Sequence, residues 1–219
     1  MWGRCGEAMV PMEDGTGSAG RFDERARTWD DAPHRVERAR VAAELIAARV
    51  PLGPTTHLLD YGAGTGLLAQ HLAARVGDVA LIEPSEGMQA VLRDKIDAGV
   101  LAGGRVLDLD LAVVEAPVEL VCDVVVSLMV VHHVRDIPAL LRRLRTIVPV
   151  DGHLCIVDLE EEDGSYHGPS FDGHHGLARG PLAEALVAAG FERPSFDHAF
   201  TIEKKGRAYD LFLAVARAV

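Results

Sequence analysis

Asp60 stands two residues ahead of the first of three glycines, Gly62, Gly64 and Gly66, and Glu83 closes the next apolar run. Glycines spaced in this way let the backbone turn tightly and approach a ligand with no Cβ in between. An acid before the turn disfavours a pyrophosphate, which needs an uncharged approach and a free helix N-terminus. It suits a cation instead, such as the ammonium group of an amino acid. Glu83, at the end of the following strand, can accept hydrogen bonds from both hydroxyls of a ribose. The outlined ligand has a ribose and an amino-acid end but no phosphate.

S-adenosylmethionine fits that outline. A second group of chemistry-bearing residues lies further along. The chain has 10 histidines, and His132-His133 directly follows the apolar run Val124–Leu128. A neutral imidazole there can take a proton from a hydroxyl, an amine or a carbon acid. His133 is the first candidate for such a base and His132 the second, because adjacent side chains on a regular backbone face different ways. The alternative is structural, with one ring bonded to the loop and the other in solvent. His167, His174 and His175 sit in a later loop that should reach the same mouth. Their spacing matches no established metal site, so no metal is expected.

These residues need a scaffold, and the hydrophobic pattern supplies one. Asp30 or Asp31 caps a helix that has Pro33 in its first turn and ends before Pro51. Strands are expected at 57–61, 79–83, 105–111, 123–128 and 153–159, with helices after each turn. Ser85 and Asp136 are the expected caps of two of these helices, and a later one starts at Pro181. Two final strands, 195–202 and 209–215, form a hairpin. Strand–helix alternation of this kind predicts an α/β fold: a doubly wound, mostly parallel seven-stranded sheet with helices on both faces and a C-terminal antiparallel hairpin. Ligands of such sheets bind beyond the carboxyl ends of the strands, where strand order reverses.

Composition narrows the function classes. Of 219 residues, 33 are acidic and 22 basic, for a formal net charge of −11. That excess repels nucleic-acid backbones and anionic lipid, so neither is expected as a partner. The densest basic group, Arg142, Arg143 and Arg145, reads as the wet face of a helix. Cys5, Cys122 and Cys155 form no C-x-x-C pair and encode neither a disulfide framework nor a zinc knuckle. No run approaches a membrane span, and a cytoplasmic location is the expectation. Residues 1–20 read as a disordered tail, 21–55 as a cap segment with a helix, and 56–219 as the ligand-binding core.

Several blocks together resemble class I S-adenosylmethionine-dependent methyltransferases, in particular bacterial small-molecule enzymes of the quinone and sterol type. They are Phe22-Asp23 to Trp29-Asp30, Leu59 to Gly66, Glu83 to Met88, Leu107 to Leu111, Ser127 to His133, Leu159 to His167 and His174-His175-Gly176. The resemblance implies that Gly62, Gly64 and Gly66 line the methionine part, with Asp60 helping to hold its ammonium through that loop. It implies Glu83 on the ribose, Met88 against the adenine, Asp110 at the adenine amino group and Ser127 facing the sulfur. The segment from Phe22 to Trp29 is expected to fold over the cofactor with Trp29 near the site. The implied activity is methyl transfer to a small molecule, with S-adenosylhomocysteine as product. A cofactor-binding protein with a regulatory role is the alternative. A nicotinamide dehydrogenase is disfavoured by Asp60 and the glycine spacing.

Overall fold

A computed structural model describes residues 22–219, so the expectation of a disordered tail over 1–20 falls outside the described residues. Strands β1 (Leu58–Tyr61), β2 (Val79–Ile82), β3 (Gly104–Leu107), β4 (Val124–Leu128) and β5 (His153–Leu159) pair in parallel. Strands β6 (Ser195–Lys204) and β7 (Arg207–Arg217) form the antiparallel hairpin, and β7 joins β5. The order β3-β2-β1-β4-β5-β7-β6 reverses between β1 and β4. That switch point puts the ends of β1, β2 and β4 side by side.

Helices α1 (Pro33–Arg49), α2 (Leu67–Leu72), α3 (Glu86–Asp97), α4 (Ile137–Ile147) and α5 (Arg179–Ala189) cover the sheet. Successive strand residues point to opposite faces, so β1 and β4 divide their side chains between two cores. Leu59 and Val125 pack with Leu140, Leu144 and Leu186 on one face. Leu58, Val124 and Val126 pack with Ile46, Leu68 and Leu72 on the other. Among the described residues no helix is long and apolar enough to cross a membrane.

Two caps form as the sequence indicates: Met88 N–H donates to Ser85 Oγ at 3.2 Å, and Ala139 N–H to Asp136 Oδ1 at 2.9 Å. Other expectations need correction. Neither Asp30 nor Asp31 caps α1; they end a 3-10 turn, Ala26–Asp31, and Ala32 precedes the helix without a side-chain cap. Strand β3 stops at Leu107 rather than Leu111, because the chain turns away there and Ala112 N–H donates to Asp110 Oδ1 at 2.9 Å. Helix α5 begins at Arg179, two residues before Pro181, since a proline in the first turn removes no helical hydrogen bond.

The hairpin strands run on to a two-residue turn, Lys205-Gly206, both with positive φ (53° and 74°), which suits the twist of a tight hairpin. Only Arg142 of the basic group is a wet side chain. Arg143 donates to Glu115 and to the carbonyls of Leu111 and Ala112. Arg145 donates to the carbonyls of Gly190, Val148 and Val219 and so ties the C-terminus down.

Candidate active site

Gly62, Gly64 and Gly66 all adopt positive φ, 71°, 57° and 82°, between β1 and α2. A side chain at Gly62 would meet Val130 at 2.5 Å, and one at Gly66 would meet Leu92 and Leu101 at 2.7 and 2.8 Å. Gly64 has nothing within 4 Å on that side. Two of the glycines are therefore demanded by packing, and the third opens onto free space. The turn is pinned to β2, with Gly62 and Ala63 N–H both donating to the Ile82 carbonyl at 2.9 and 3.0 Å.

Two carboxyl groups flank this turn. Glu83 accepts from Gly64 N–H at 2.7 Å through Oε2 and from Ser85 N–H at 2.8 Å through Oε1. Each oxygen keeps a lone pair for a further donor. Burial raises the Glu83 pKa, and those two N–H bonds oppose the shift. Asp60 is 1% exposed, and its Oδ2 has no hydrogen-bond partner among the described residues. Burial pushes its pKa up to about 7; the Ala69 N–H works against that and the Glu83 charge adds to it. A buried acid left short of a partner is the arrangement that a cationic ligand group relieves.

The segment before α1 crosses the same edge. Asp23 accepts from Ser85 Oγ at 2.5 Å and from Gly87 N–H at 2.8 Å. Asp30 accepts from Thr65 Oγ1 at 2.5 Å and pairs with Lys95 at 2.6 Å. Phe22 lies edge-on to Trp29 at 5.7 Å and to His133 at 5.9 Å. The Arg35 guanidinium stacks 3.9 Å above Trp29. This stretch thus spans from the glycine turn to the end of β4. The anchoring roles of Asp23 and Asp30 were not legible in the sequence.

The other expected residues sit around this edge in different ways. Met88 is fully buried at the start of α3. Asp110 lies past the end of β3, and its charge acts on both Tyr61 and Glu83. Because β3 is short, Asp108 is the acid immediately after the strand, and it accepts from Gln89 Nε2 at 3.0 Å. Ser127 is fully buried in β4, and its Oγ has no partner among the described residues.

After β4 the chain enters the left-handed region at Met129, with φ 57°, an unusual place for a non-glycine side chain. A 3-10 turn, Val131–His133, follows. It sets the His132 and His133 rings side by side, centroids 4.3 Å apart, rather than facing different ways. Asp158, near the end of β5, accepts from His132 Nδ1 at 2.5 Å and from the His132 and Leu159 backbone N–H groups at 3.2 and 2.7 Å. The His132 and Asp158 side chains are both sealed from solvent. His132 Nε2 in turn lies 3.0 Å from His167 Nε2. Phe171 stacks on His167 at 3.9 Å and meets His133 edge-on at 5.1 Å.

Burial, followed by the neighbouring His132 and His133, pushes the His167 pKa down to about 3. Of the histidines in the loop after β5, His167 meets the turn that carries His132 and His133. His174 instead fastens that loop, donating its backbone N–H to the His132 carbonyl at 2.7 Å, and His175 lies 3.5 Å from Glu162. Asp158 went unnoticed in the sequence. The available signal was an acid inside an apolar run, where a charge survives only with partners.

A family model described as a methyltransferase domain matches residues 32–209. An uncharacterized methyltransferase of Mycobacterium tuberculosis is 37% identical over 113 residues, covering 52% of this chain and 55% of that one. The chain spans about half the length of the curated relatives it matches. Among solved structures, the DhpI–SAH complex is similar with a TM-score of 0.69 at 22% identity, covering 91% of this chain and 94% of that one. The 1,6-didemethyltoxoflavin-N1-methyltransferase of Burkholderia thailandensis, bound to 1,6-didemethyltoxoflavin and S-adenosylhomocysteine, has a TM-score of 0.67 at 20% identity. It matches 92% of this chain and 87% of its own. At these identities the likeness to the solved structures is one of fold.

Proposed function

The chain belongs to the methyltransferase-domain family, and from that premise we propose that it moves the methyl group of S-adenosylmethionine onto a small-molecule acceptor. The observation that carries this reading is the pair of acids at the ends of adjacent strands. Asp60 has an unmet buried oxygen, and Glu83 keeps spare lone pairs against an open glycine turn. A ligand with an ammonium at one end and a ribose in the middle complements both. In this reading residues 56–219 are the binding core and 21–55 the cap.

Asp60 and the turn from Gly62 to Gly66 would hold the methionine part, and Glu83 the ribose. Met88 and Asp110 would flank the adenine, with Ser127 and Trp29 on the sulfur side. When bound, the cofactor supplies an electrophilic methyl group on a sulfonium. The protein then has to place a nucleophile in line and keep water away. Phe22, Trp29 and Phe171 wall the mouth with apolar rings. Asp158 holds the His132 proton on Nδ1, and the enclosed Nε2, met by His167 at 3.0 Å, would take the acceptor's proton through the His167 ring. His133, the first candidate by sequence, lies half-buried beside it. That the similar Burkholderia thailandensis N1-methyltransferase binds 1,6-didemethyltoxoflavin supports a small-molecule acceptor, and the net charge of −11 weighs against nucleic acid.

Calorimetry tests the reading. S-adenosylhomocysteine should bind at nanomolar to micromolar concentration and NAD should not bind. Glu83→Ala should weaken the former by roughly 1.5–3 kcal/mol, the scale of a hydrogen bond to a charged group. Binding of NAD, or unchanged affinity in Glu83→Ala, rejects the assignment.

A further inference from the structure

The three imidazoles at the end of β4 are closer together than proton transfer from one acceptor requires. His132, His133 and His167 each offer a ring nitrogen, and these atoms all lie within 4.8 Å of one another. They come from two separate segments, the 3-10 turn after β4 and the loop after β5. His132 is fully enclosed and the other two are half-buried. We propose that this cluster is a binding site for a divalent first-row transition ion of the zinc type.

The argument begins with the His132 tautomer. Asp158 Oδ1 can only accept, so at 2.5 Å it fixes the proton on Nδ1 and leaves Nε2 as a donor of electrons. A carboxylate behind a histidine in this way orients the ring and raises its basicity as a metal ligand. The Nε2 atoms of His132 and His167 are 3.0 Å apart. Nitrogens about 2.0–2.1 Å from a tetrahedral zinc stand roughly 3.3 Å from each other, so this pair is already near ligand spacing. A shared proton can bridge two such rings, but a cation is the partner that uses three converging donors at once.

The surroundings favour a fixed site. Phe171 stacks on His167 with an interplanar angle of 13°, and the His174 N–H bond to the His132 carbonyl locks the two segments together. Lys204 opposes a cation here, but its ammonium is taken up by the Tyr166 carbonyl at 2.5 Å, and the Asp158 carboxylate offsets it. Imidazole donors suit zinc, iron(II), cobalt(II) and nickel(II) rather than magnesium or calcium. Three protein donors leave at least one position open. Such a position would let the ion take up an acceptor oxygen or nitrogen. This purpose rests on the proposed methyl transfer; the binding itself does not. The linear spacing of the histidines hides the site, because His132 and His167 meet only through the fold.

The test uses the full chain, stripped with chelator, without cofactor. Calorimetry with Zn²⁺ and visible spectroscopy with Co²⁺ should show one ion per chain and the absorption of a low-coordinate cobalt site. His167→Ala and His133→Ala should each weaken binding at least tenfold, and Asp158→Asn by about 10–100-fold. His198→Ala, outside the cluster, should change nothing. Circular dichroism of each variant establishes that it is folded. Absence of stoichiometric binding, or binding undiminished in the folded His133→Ala/His167→Ala double variant, overturns the proposal. S-adenosylhomocysteine binding by metal-free protein is measured in parallel. Ion binding without it would reject the proposed function alone, and its binding without an ion site would reject this inference alone.

Discussion

Asp158 and His132, 26 residues apart in the chain, share a 2.5 Å hydrogen bond with both side chains enclosed. The carboxylate also collects two backbone N–H groups, so its position is set by three donors from two segments. Asp158→Asn keeps the shape and one acceptor oxygen but no longer fixes the His132 tautomer. Turnover per folded molecule should fall by roughly 10² or more. A purely structural aspartate would instead lower the melting temperature and leave kcat alone, so both are measured on the same samples.

The histidine pair should separate by its support. His132→Gln should lower turnover by roughly 10²–10⁴ with S-adenosylhomocysteine affinity near wild type. His133→Gln should cost less, because it is His132 that Asp158 orients. Equal turnover in wild type and both variants would leave positioning alone as the mechanism.

Asp60 predicts a pH dependence of stability. Its pKa rises from an ordinary 3.8 to about 7 in the folded chain. Below 3.8 both states are protonated and there is no penalty. Between 3.8 and about 7 only the unfolded chain ionises, so stability falls as pH rises through that window and then levels off. The difference is on the order of 4 kcal/mol at about 1.36 kcal/mol per unit. Asp60→Asn should lack this slope in unfolding experiments across pH 4–7. An ammonium bound against Asp60 should also lower its pKa, so S-adenosylhomocysteine binding near pH 7 should release a proton. Calorimetry in buffers of different ionisation enthalpy would detect it, and buffer-independent heats would contradict the contact.

The glycines should divide by phenotype. Gly62→Ala places a Cβ 2.5 Å from Val130 at φ 71° and should destabilise the fold by about 1–3 kcal/mol. Gly64→Ala meets nothing within 4 Å and should cost only backbone strain, about 1 kcal/mol, while its methyl group obstructs the ligand. Urea unfolding and ligand titration on the two variants should therefore rank them in opposite orders.

The segment before α1 should behave as a cover held by acids. Asp30→Ala releases Thr65 and Lys95 together. Trypsin should then cut at Arg25 and Arg27 faster than in wild type, and S-adenosylhomocysteine should protect the wild type more than the variant. Identical cleavage in both would mean that these anchors do not hold it.

The nearest-neighbour signals were legible in the sequence. Asp60, the glycine turn and Glu83 follow one another across a single strand–turn–helix–strand unit, and such a unit can place them in only one way. Ser85 and Asp136 cap because each faces its own helix N–H three residues on. Asp30 shows where that logic stops. Read locally it is a cap, but in the folded chain Lys95 and Thr65 hold it instead, because a charge pair with Lys95 outcompetes a single N–H. The histidine cluster is the larger case. Parallel pairing of β4 with β5 sets Leu128 opposite Val157, which brings Asp158 beside the turn that carries His132. The loop after β5 then returns His167, 35 residues away, to the same ring. Residue types alone announced histidines near a mouth. Their convergence was decided by strand register and loop closure, which depend on contacts between distant parts of the chain.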